Sequence, residues 1–349
     1  MIDKEKGMIL VTGNTGYIGT VMTKFLQDNG KKVVGVDTNY YEGCDFYPAE
    51  DRPFKQIVKD VSEINEQDLE GIDGIIHLAA LSNDPLGELN PGLTNEINCV
   101  FSVKLAKLAK SLGISRYLFS SSCSVYGIAP GDRAVTEEDK VNPITAYARA
   151  KIDCETELAK LADSDFHPTY LRNATAHGLS PKLRLDLVVN NLTAWAYLTG
   201  KVSIMSDGTP WRPIAHVEDL CRAFLAILEA PAEKIHNQAF NVGVDSENYQ
   251  VKDIAGCIER IVPNSKVEIL NTTGTDERSY RVDFSKIKNT LPDFKPQWTL
   301  EKTVEQLYSA YKKFNLNREG FDSTSYFRIR TIRKLMEENK VDKNIRWIK

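Results

Sequence analysis

The amino-acid sequence predicts an α/β protein in which a doubly wound parallel sheet is followed by a smaller α/β lobe. Up to about residue 175, short apolar runs alternate with amphipathic helical stretches, and this order is typical of parallel strands covered by helices on both faces. A glycine-rich turn joins the first apolar run to the first helical stretch. Beyond residue 175, loops rich in Pro, Gly and Asn separate shorter elements, which indicates a second unit packed on the first.

The elements follow from apolar periodicity and from the residues that end each run. The first helix is followed by Gly30, which suits a C-terminal cap, and the longest helix carries an apolar stripe. We expect strands over Met8–Thr12, Lys32–Asp37, 55–60, 74–79 and Arg116–Ser122, helices over 17–29, 94–112, 216–230 and 252–262, and short late strands over 266–270 and 280–284.

Composition and charge exclude several classes of protein. The 349 residues suffice for one large domain or two fused domains. The net charge of −4 gives no overall attraction to nucleic acid or to an anionic membrane, so we expect neither as a partner. The six cysteines show no C-x-x-C spacing and have no histidine cluster beside them, which favours reduced thiols in a cytoplasmic protein and no metal site.

The turn after the first strand carries three glycines, Gly13, Gly16 and Gly19. The first permits a tight turn, the second lets the backbone approach a diphosphate, and the third allows close packing of helix on sheet. The N–H groups at the start of the helix then face the diphosphate. The turn is therefore a candidate dinucleotide site of a Rossmann-type sheet, formed by Gly13, Thr15, Gly16, Tyr17, Ile18 and Gly19.

Two acidic residues follow the next two strands. Asp37 ends the second strand, where its carboxylate is placed to accept hydrogen bonds from both hydroxyls of an adenosine ribose and to repel a 2′-phosphate. This position favours NAD over NADP as the cofactor. The alternative interpretation of Asp37 is a solvent-exposed carboxylate. Asp60 and Val61 close the third strand and are placed to meet the adenine.

Three further residues are candidates for proton chemistry. Tyr147 and Lys151 lie four positions apart and share one face of a predicted helix that starts near Thr145. A phenol has a pKa of about 10, so it needs a neighbouring cation to act as a base at neutral pH. Ser122 ends the fifth strand, at the edge where open α/β sheets bind ligands. We expect Ser122 to hold a reacting hydroxyl while Tyr147, activated by Lys151, takes its proton.

The glycine turn, the strand-end serines and the Tyr–Lys helix together resemble the extended short-chain dehydrogenase/reductases, specifically the nucleotide-sugar epimerase/dehydratase group. The resemblance covers residues 8–315. It implies that Ser122, Tyr147 and Lys151 form a catalytic trio in contact with NAD, and that the segment after the fourth strand runs beside the cofactor. The cofactor-site residues that it adds are Leu78, Ala79, Ala80 and Asn98.

The resemblance also implies a site for a nucleotide-diphosphate sugar. Asn173, Arg212 and Arg278 match residues that meet the diphosphate, and guanidinium groups suit phosphate oxygens. Arg184 either adds to this positive site or forms a salt bridge. Cys123 is expected to pack as a small residue rather than to donate a proton. The candidate substrate contacts are Ser82, Ser122, Cys123, Ser124, Asn173, Arg212 and Arg278.

These assignments divide the chain into three parts. We expect an NAD-binding domain over residues 1–174 with return segments near 210–243, a mainly substrate-binding lobe over 175–315, and a helical extension over 316–349. The basic residues of 326–349 accompany an apolar stripe, so this stretch is interpreted as a solvated helix packed on its own domain.

The resemblance implies transient oxidation of a sugar hydroxyl, expected at C4, and return of the hydride, which is the reaction of an epimerase. Family dehydratases and decarboxylases carry acidic residues directly after the catalytic serine or threonine, where this chain has Cys123 and Ser124. The alternatives are a 4,6-dehydratase, a C4 dehydrogenase and, from another class, a non-catalytic NAD(H)-sensing regulatory protein. The resemblance further implies a homodimer formed through helices 94–112 and 145–163.

Overall fold

The computed structural model describes residues 7–49, 53–82, 87–129, 133–270, 272 and 278–348. Its strands are β1 Met8–Thr12, β2 Lys32–Asp37, β3 Lys55–Val58, β4 Ile72–His77, β5 Arg116–Ser122, β6 His167–Asn173, β7 Thr175–His177, β8 Lys201–Ile204, β9 Trp211–His216, β10 Gln238–Val242, β11 Asn248–Gln250 and β12 Lys266–Ile269. Seven of them form a parallel sheet in the order β10-β6-β5-β4-β1-β2-β3. The order reverses between β1 and β4, and a crevice for a ligand opens at the carboxyl ends of strands where the order reverses.

Helices cover both faces of this sheet. Those described are α1 Tyr17–Asp28, α2 Pro91–Asn95, α3 Phe101–Ser111, α4 Ala146–Ala159, α5 Val188–Thr199, α6 Val217–Glu229, α7 Ala232–Ile235, α8 Val251–Ile261, α9 Ser285–Thr290, α10 Leu300–Lys313, α11 Arg318–Asp322 and α12 Arg328–Glu337. A π-helical turn, Glu96–Val100, joins α2 to α3, and 3-10 turns follow β3 and β5. Among the described helices, none has the length and apolar character needed to cross a bilayer.

Each layer has its own apolar core. On one face of the sheet, Met22 and Leu26 of α1 pack with Leu220 and Phe224 of α6. On the other face, α3 and α4 supply a second cluster that includes Leu158. This two-sided covering makes the sheet doubly wound, as the strand–helix alternation predicted. The fold class expected from the sequence is confirmed.

The second half of the chain builds a third core around α5, α8 and α10. Two small sheets belong to it, one with the order β11-β9-β7 and one that pairs β12 with β8. Of the segments expected to return near 210–243, α6 and β10 join the first unit, whereas β9 lies in the small three-stranded sheet. The domain boundaries stay a prediction, and residues 1–6 lie outside the described part.

Several expected elements differ from the observed ones. The late strand predicted over 280–284 is wrong: the described residues there make only single bridges, Val282 to Val135 and Ser279 to Ile128. Alternating side chains predict extended backbone, but none of the described strands pairs with this stretch along its length. β3 ends at Val58, because Asp60 caps a 3-10 turn through Ser62 N, which lies 2.8 Å from its carboxylate.

The predicted C-terminal helix is also shorter than expected. Of residues 326–349, only Arg328–Glu337 are helical, and residue 349 lies outside the described part. Asn339 adopts a left-handed φ of 52°, which ends the helix. The chain then turns back on itself, with a bridge between Val341 and Trp347.

A buried ion pair joins α4 to the sheet beneath its carboxyl edge. Arg172 Nη2 of β6 lies 2.7 Å from Glu155 Oε2 of α4, and the two side chains are 10% and 8% exposed. Ser121 Oγ donates to the same carboxylate, and Arg172 also donates to the hydroxyl of Tyr126 at 3.1 Å. Because a buried charge without its partner is strongly destabilising, the pair holds α4 against β5 and β6.

Replacing Glu155 would leave the Arg172 guanidinium buried without its carboxylate, so we expect Glu155→Ala to lower the free energy of unfolding by about 3–5 kcal/mol. The control is Glu157→Ala on the same helix, where the carboxylate pairs with Lys160 at the surface and its loss should cost less than about 1 kcal/mol. Urea unfolding followed by circular dichroism measures both. Equal losses would show that the buried pair does not hold this helix.

Candidate active site

Two cavities meet at the carboxyl edge of the sheet. The first lies beside the ends of β1, β2 and β4. The second lies beyond the ends of β5 and β6. Their walls share Ile18, Leu78, Ala80, Ser82 and Arg184. The two spaces are therefore adjoining parts of one crevice at the reversal of strand order.

The glycine turn forms the floor of the first cavity. Gly13 has a φ of +73°, and a Cβ there would lie 2.9 Å from the backbone nitrogen of Ala79. A Cβ on Gly19 would lie 2.0 Å from the carbonyl oxygen of Gly13. Gly16 precedes α1, whose first N–H groups receive no side-chain cap among the described residues. This tight turn at an uncapped helix start fits the diphosphate of a dinucleotide. The backbone N–H of Thr15, in the same turn, donates to the carboxylate of Asp37 and so does not point to the diphosphate.

Acidic side chains stand at the far end of the same cavity. Asp37 Oδ2 accepts from Thr15 N at 3.1 Å, and Oδ1 accepts from Asn39 N at 3.0 Å. These contacts fix the carboxylate at the cavity wall, as the ribose assignment requires. Asp60 and Val61 line the wall beyond it, where the adenine was predicted. Asp60 is ion-paired with Arg346, a partner that the sequence did not indicate.

The segment after β4 forms the wall between the two cavities. Leu78 and Ala80 line both spaces, and Ala79 lines the first. Asn98 lines neither: its buried amide accepts from Leu81 N at 2.7 Å and donates to Leu81 O at 3.1 Å. Asn98, carried on the π-helical turn, thus positions the segment after β4, and its cofactor contact stays a prediction.

Ser122, Tyr147 and Lys151 all line the second cavity. Thr145 caps α4 through Ala148 N, so the helix presents Tyr147 in its first turn and Lys151 one turn later. The Lys151 ammonium is 3% exposed, donates to the carbonyl of Ser120 at 2.6 Å, and lies 5.5 Å from the centre of the Tyr147 ring. Burial lowers the pKa of Lys151 to about 8, so it stays cationic at neutral pH.

Two buried oxygens on the second cavity wall lack a hydrogen-bond partner among the described residues. They are Ser124 Oγ and Asn173 Oδ1. Buried polar atoms are nearly always hydrogen-bonded, so this pair indicates a polar ligand. Cys123, by contrast, does not line the cavity: its thiol donates to the carbonyl of Arg172 at 3.0 Å. The structure thus places Cys123 off the cavity wall, where it packs, and its substrate contact stays a prediction.

Positive groups line part of the second cavity. Arg212 and Arg278 both reach its wall, and Arg212 donates to the carbonyl of Arg278. Arg184, for which a cationic site and a salt bridge were both considered, lies outside any helix and pairs with Asp186 at 2.8 Å. Arg184 Nη1 also donates to Ser82 at 3.3 Å. The Asp186 partner could not be predicted from the sequence, because the pairing depends on how an irregular loop folds.

The Asp37 carboxylate should set the choice of dinucleotide. We expect Asp37→Ser to bind NAD about tenfold more weakly, because hydrogen bonds to a charged group are lost, and to lose most of its discrimination against NADP. The matched control, Glu42→Ser, removes the same charge from an exposed position in the following loop. Calorimetric titration with both dinucleotides gives the two dissociation constants. If Asp37→Ser left the ratio of the NADP and NAD dissociation constants unchanged, this carboxylate would not determine which cofactor binds.

Comparison with known sequences gives consistent matches along most of the chain. UDP-glucuronate 4-epimerase of Thermodesulfobacterium geofontis is 28% identical over 88% of this chain and 97% of its own length. UDP-glucuronic acid decarboxylase 1 of Arabidopsis thaliana is 26% identical over 91% of this chain and 73% of its own length. UDP-glucose 4-epimerase of Corynebacterium glutamicum is 28% identical over 70% and 78%. The similarity thus includes more than one reaction.

Solved structures show the same architecture. MoeE5 in complex with UDP-glucuronic acid and NAD superposes with a TM-score of 0.76 at 25% identity, covering 88% of this chain and 99% of that one. UDP-glucuronic acid 4-epimerase from Bacillus cereus, in complex with UDP-glucuronic acid and NAD, gives 0.73 at 24% identity over the same shares. Residues 9–243 match the sequence model of the NAD dependent epimerase/dehydratase family. With the glycine turn, Asp37 and the Ser–Tyr–Lys constellation in place, the chain belongs to this family of NAD-dependent enzymes.

Proposed function

We propose that this enzyme is a nucleotide-sugar 4-epimerase, which oxidises the C4 hydroxyl to a ketone and returns the hydride to the opposite face. One observation carries the proposal: Ser122, Tyr147 and Lys151 share a cavity that adjoins the dinucleotide cavity. In such a crevice a sugar hydroxyl and a nicotinamide ring would lie side by side. A base, a cation and a hydroxyl then surround the reacting C–O bond.

The side chains account for the proton transfers of this reaction. Bound NAD supplies the acceptor and later the donor of the hydride. Tyr147 takes the proton of the C4 hydroxyl as the C4 hydrogen leaves as hydride, and Ser122 holds the oxygen. The buried Lys151 cation favours the phenolate form of Tyr147. After the ketosugar turns over, Tyr147 returns the proton to the oxygen, so no water, carbon dioxide or net electron is released.

Further observations favour epimerisation over dehydration or decarboxylation. The thiol of Cys123 is directed to a backbone carbonyl, and burial raises its pKa well above the ordinary value. Ser124 has no base within hydrogen-bonding distance among the described residues. Of the described residues that line the second cavity, Asp186 alone carries a carboxyl group, and Arg184 holds it. Among the described lining residues there is thus no carboxylate without an ion-pair partner for chemistry at C6.

The substrate is proposed to be a nucleotide-diphosphate sugar. Arg212 and Arg278 would bind the diphosphate at the outer wall, while Asn173 and Ser124 offer unmet hydrogen-bonding capacity deeper inside. The relatives are enzymes of UDP-glucuronate and UDP-glucose, so UDP-sugars are the substrates to test first.

A homodimer is proposed as the working assembly. The expected interface helices, 94–112 and 145–163, pack side by side in the structure as α2, the π-helical turn, α3 and α4. Val100 is 51% exposed on this surface, and Leu112 is 41% exposed. A second copy would bury such apolar groups.

All six cysteines are buried and form no disulfide, in keeping with the cytoplasmic location that stays a prediction.

The reaction class is tested by incubating the purified enzyme with a panel of nucleotide sugars. We expect an isomer of unchanged mass, inverted at C4, with no net accumulation of NADH. Mass spectrometry and NMR of the product, with absorbance at 340 nm, measure the two quantities. A product lighter by one water or by carbon dioxide would overturn the proposal, and a ketone formed with stoichiometric NADH would identify a dehydrogenase.

Removal of the proposed base is the second test. Tyr147→Phe should fold and bind NAD normally but lose roughly two to four orders of magnitude in turnover, the range for removing a general base. Tyr308→Phe is the control, because this ring lies on α10 against Tyr197, away from both cavities. Turnover of the two variants is compared with the same substrate. Comparable rates for Tyr147→Phe and the unaltered enzyme would require another base.

A further inference from the structure

We infer that the segment 326–348 is part of the cofactor site, and that Arg328 binds the diphosphate of the dinucleotide. The segment lies beyond residues 9–243, the part that the family model matches. From the sequence it was expected to be a solvated helix on its own domain. The inference rests on NAD binding and is independent of the reaction proposed above.

The end of this segment contacts the first cavity near Asp37 and Asp60, where the adenosine of NAD is expected. Trp347 Nε1 donates to the carbonyl of Thr38 at 2.7 Å, and its ring lies 5.5 Å from that of Tyr40. Arg346 is ion-paired with Asp60 and lies 5.0 Å from the ring centre of Phe101. Thr38, Tyr40, Asp60 and Phe101 all line the cavity. The segment therefore supports the wall of the cofactor site.

Arg328, at the start of α12, reaches the cavity itself. It is 1% exposed and lines the first cavity. Its guanidinium lies 4.2 Å from the ring centre of Tyr41, and Nη2 donates to the carbonyl of Lys182 at 2.7 Å. No carboxylate of the described residues lies within ion-pair distance of it. A buried cation without a carboxylate is costly unless an anion completes the site.

The other cations of this cavity are already neutralised. Lys59 is 2.8 Å from Asp68, and Arg184 is 2.8 Å from Asp186. Among the described lining residues, Arg328 is thus the cation that has no carboxylate within ion-pair distance. The diphosphate is the anionic group of NAD, and a guanidinium fork matches its oxygens. The uncapped start of α1 would bind the diphosphate from the floor, and Arg328 would bind it from the cavity wall.

The test measures binding to the enzyme freed of NAD, with ligands that have or lack the diphosphate. We expect Arg328→Met to raise the dissociation constants of NAD and ADP-ribose by roughly ten- to a hundredfold, the range for a lost charge-assisted hydrogen bond. Adenosine, which has no phosphate, should bind as before. Arg333→Met, exposed on the same helix, is the control because it removes the same net charge. It should leave all three constants unchanged.

A conservative variant keeps the test decisive if Arg328→Met does not fold. Arg328→Lys retains the charge but loses the fork, so NAD should bind severalfold more weakly while adenosine is unaffected. Equal weakening of NAD and adenosine would show that Arg328 only supports the wall. Unchanged NAD affinity in the folded variant would remove Arg328 from the site. Because no sugar substrate is present, neither result depends on the proposed epimerisation.

Discussion

The arrangement of the active site depends on one buried ion pair, between Arg172 of β6 and Glu155 of α4. Neither group tolerates being buried alone, so the two elements keep a fixed relation. Helix α4 carries Tyr147 and Lys151, while β5, next to β6, ends at Ser122. The pair therefore fixes the helix that carries Tyr147 and Lys151 relative to the strand that ends at Ser122. Lys151 adds a second tie from the same helix, through the carbonyl of Ser120.

The crevice is locally polar although the whole chain is mildly acidic. Its cations are held by defined partners, such as Asp68 for Lys59 and Asp186 for Arg184. This arrangement keeps side chains fixed before any ligand arrives, which lowers the entropy lost on binding. Among the described residues, Ser124 Oγ and Asn173 Oδ1 lack a hydrogen-bond partner and the Arg328 guanidinium lacks a carboxylate, and these are the groups at which we propose that ligands bind. Charged and polar groups that already have a partner in the protein are thus distinguished from those that we expect to bind a ligand.

The sequence predicted the parts of the site that depend on local chemistry. Gly13 and Gly19 are required by close backbone approaches within one turn, and Tyr147 and Lys151 share a helix face through their spacing. What could not be predicted depends on contacts between distant segments. No periodic pattern in the sequence indicates the single bridges around Val282 or the ion pair between Arg346 and Asp60. Asn98 was recognised, but its partner at Leu81 required the path of the loop.

The contacts between the segment 326–348 and the cofactor-site wall have a consequence for folding during synthesis. Trp347 and Thr38 are separated by 309 positions in the sequence, and the ring of Trp347 also contacts that of Tyr40, which lies close to Thr38 in the chain. During synthesis the glycine turn and β2 emerge from the ribosome first, and the residues that support the adenosine wall emerge hundreds of residues later. An amino-terminal unit that folds during translation would therefore hold an unfinished cofactor pocket. The contacts that support the adenosine wall are complete only when this late segment has docked.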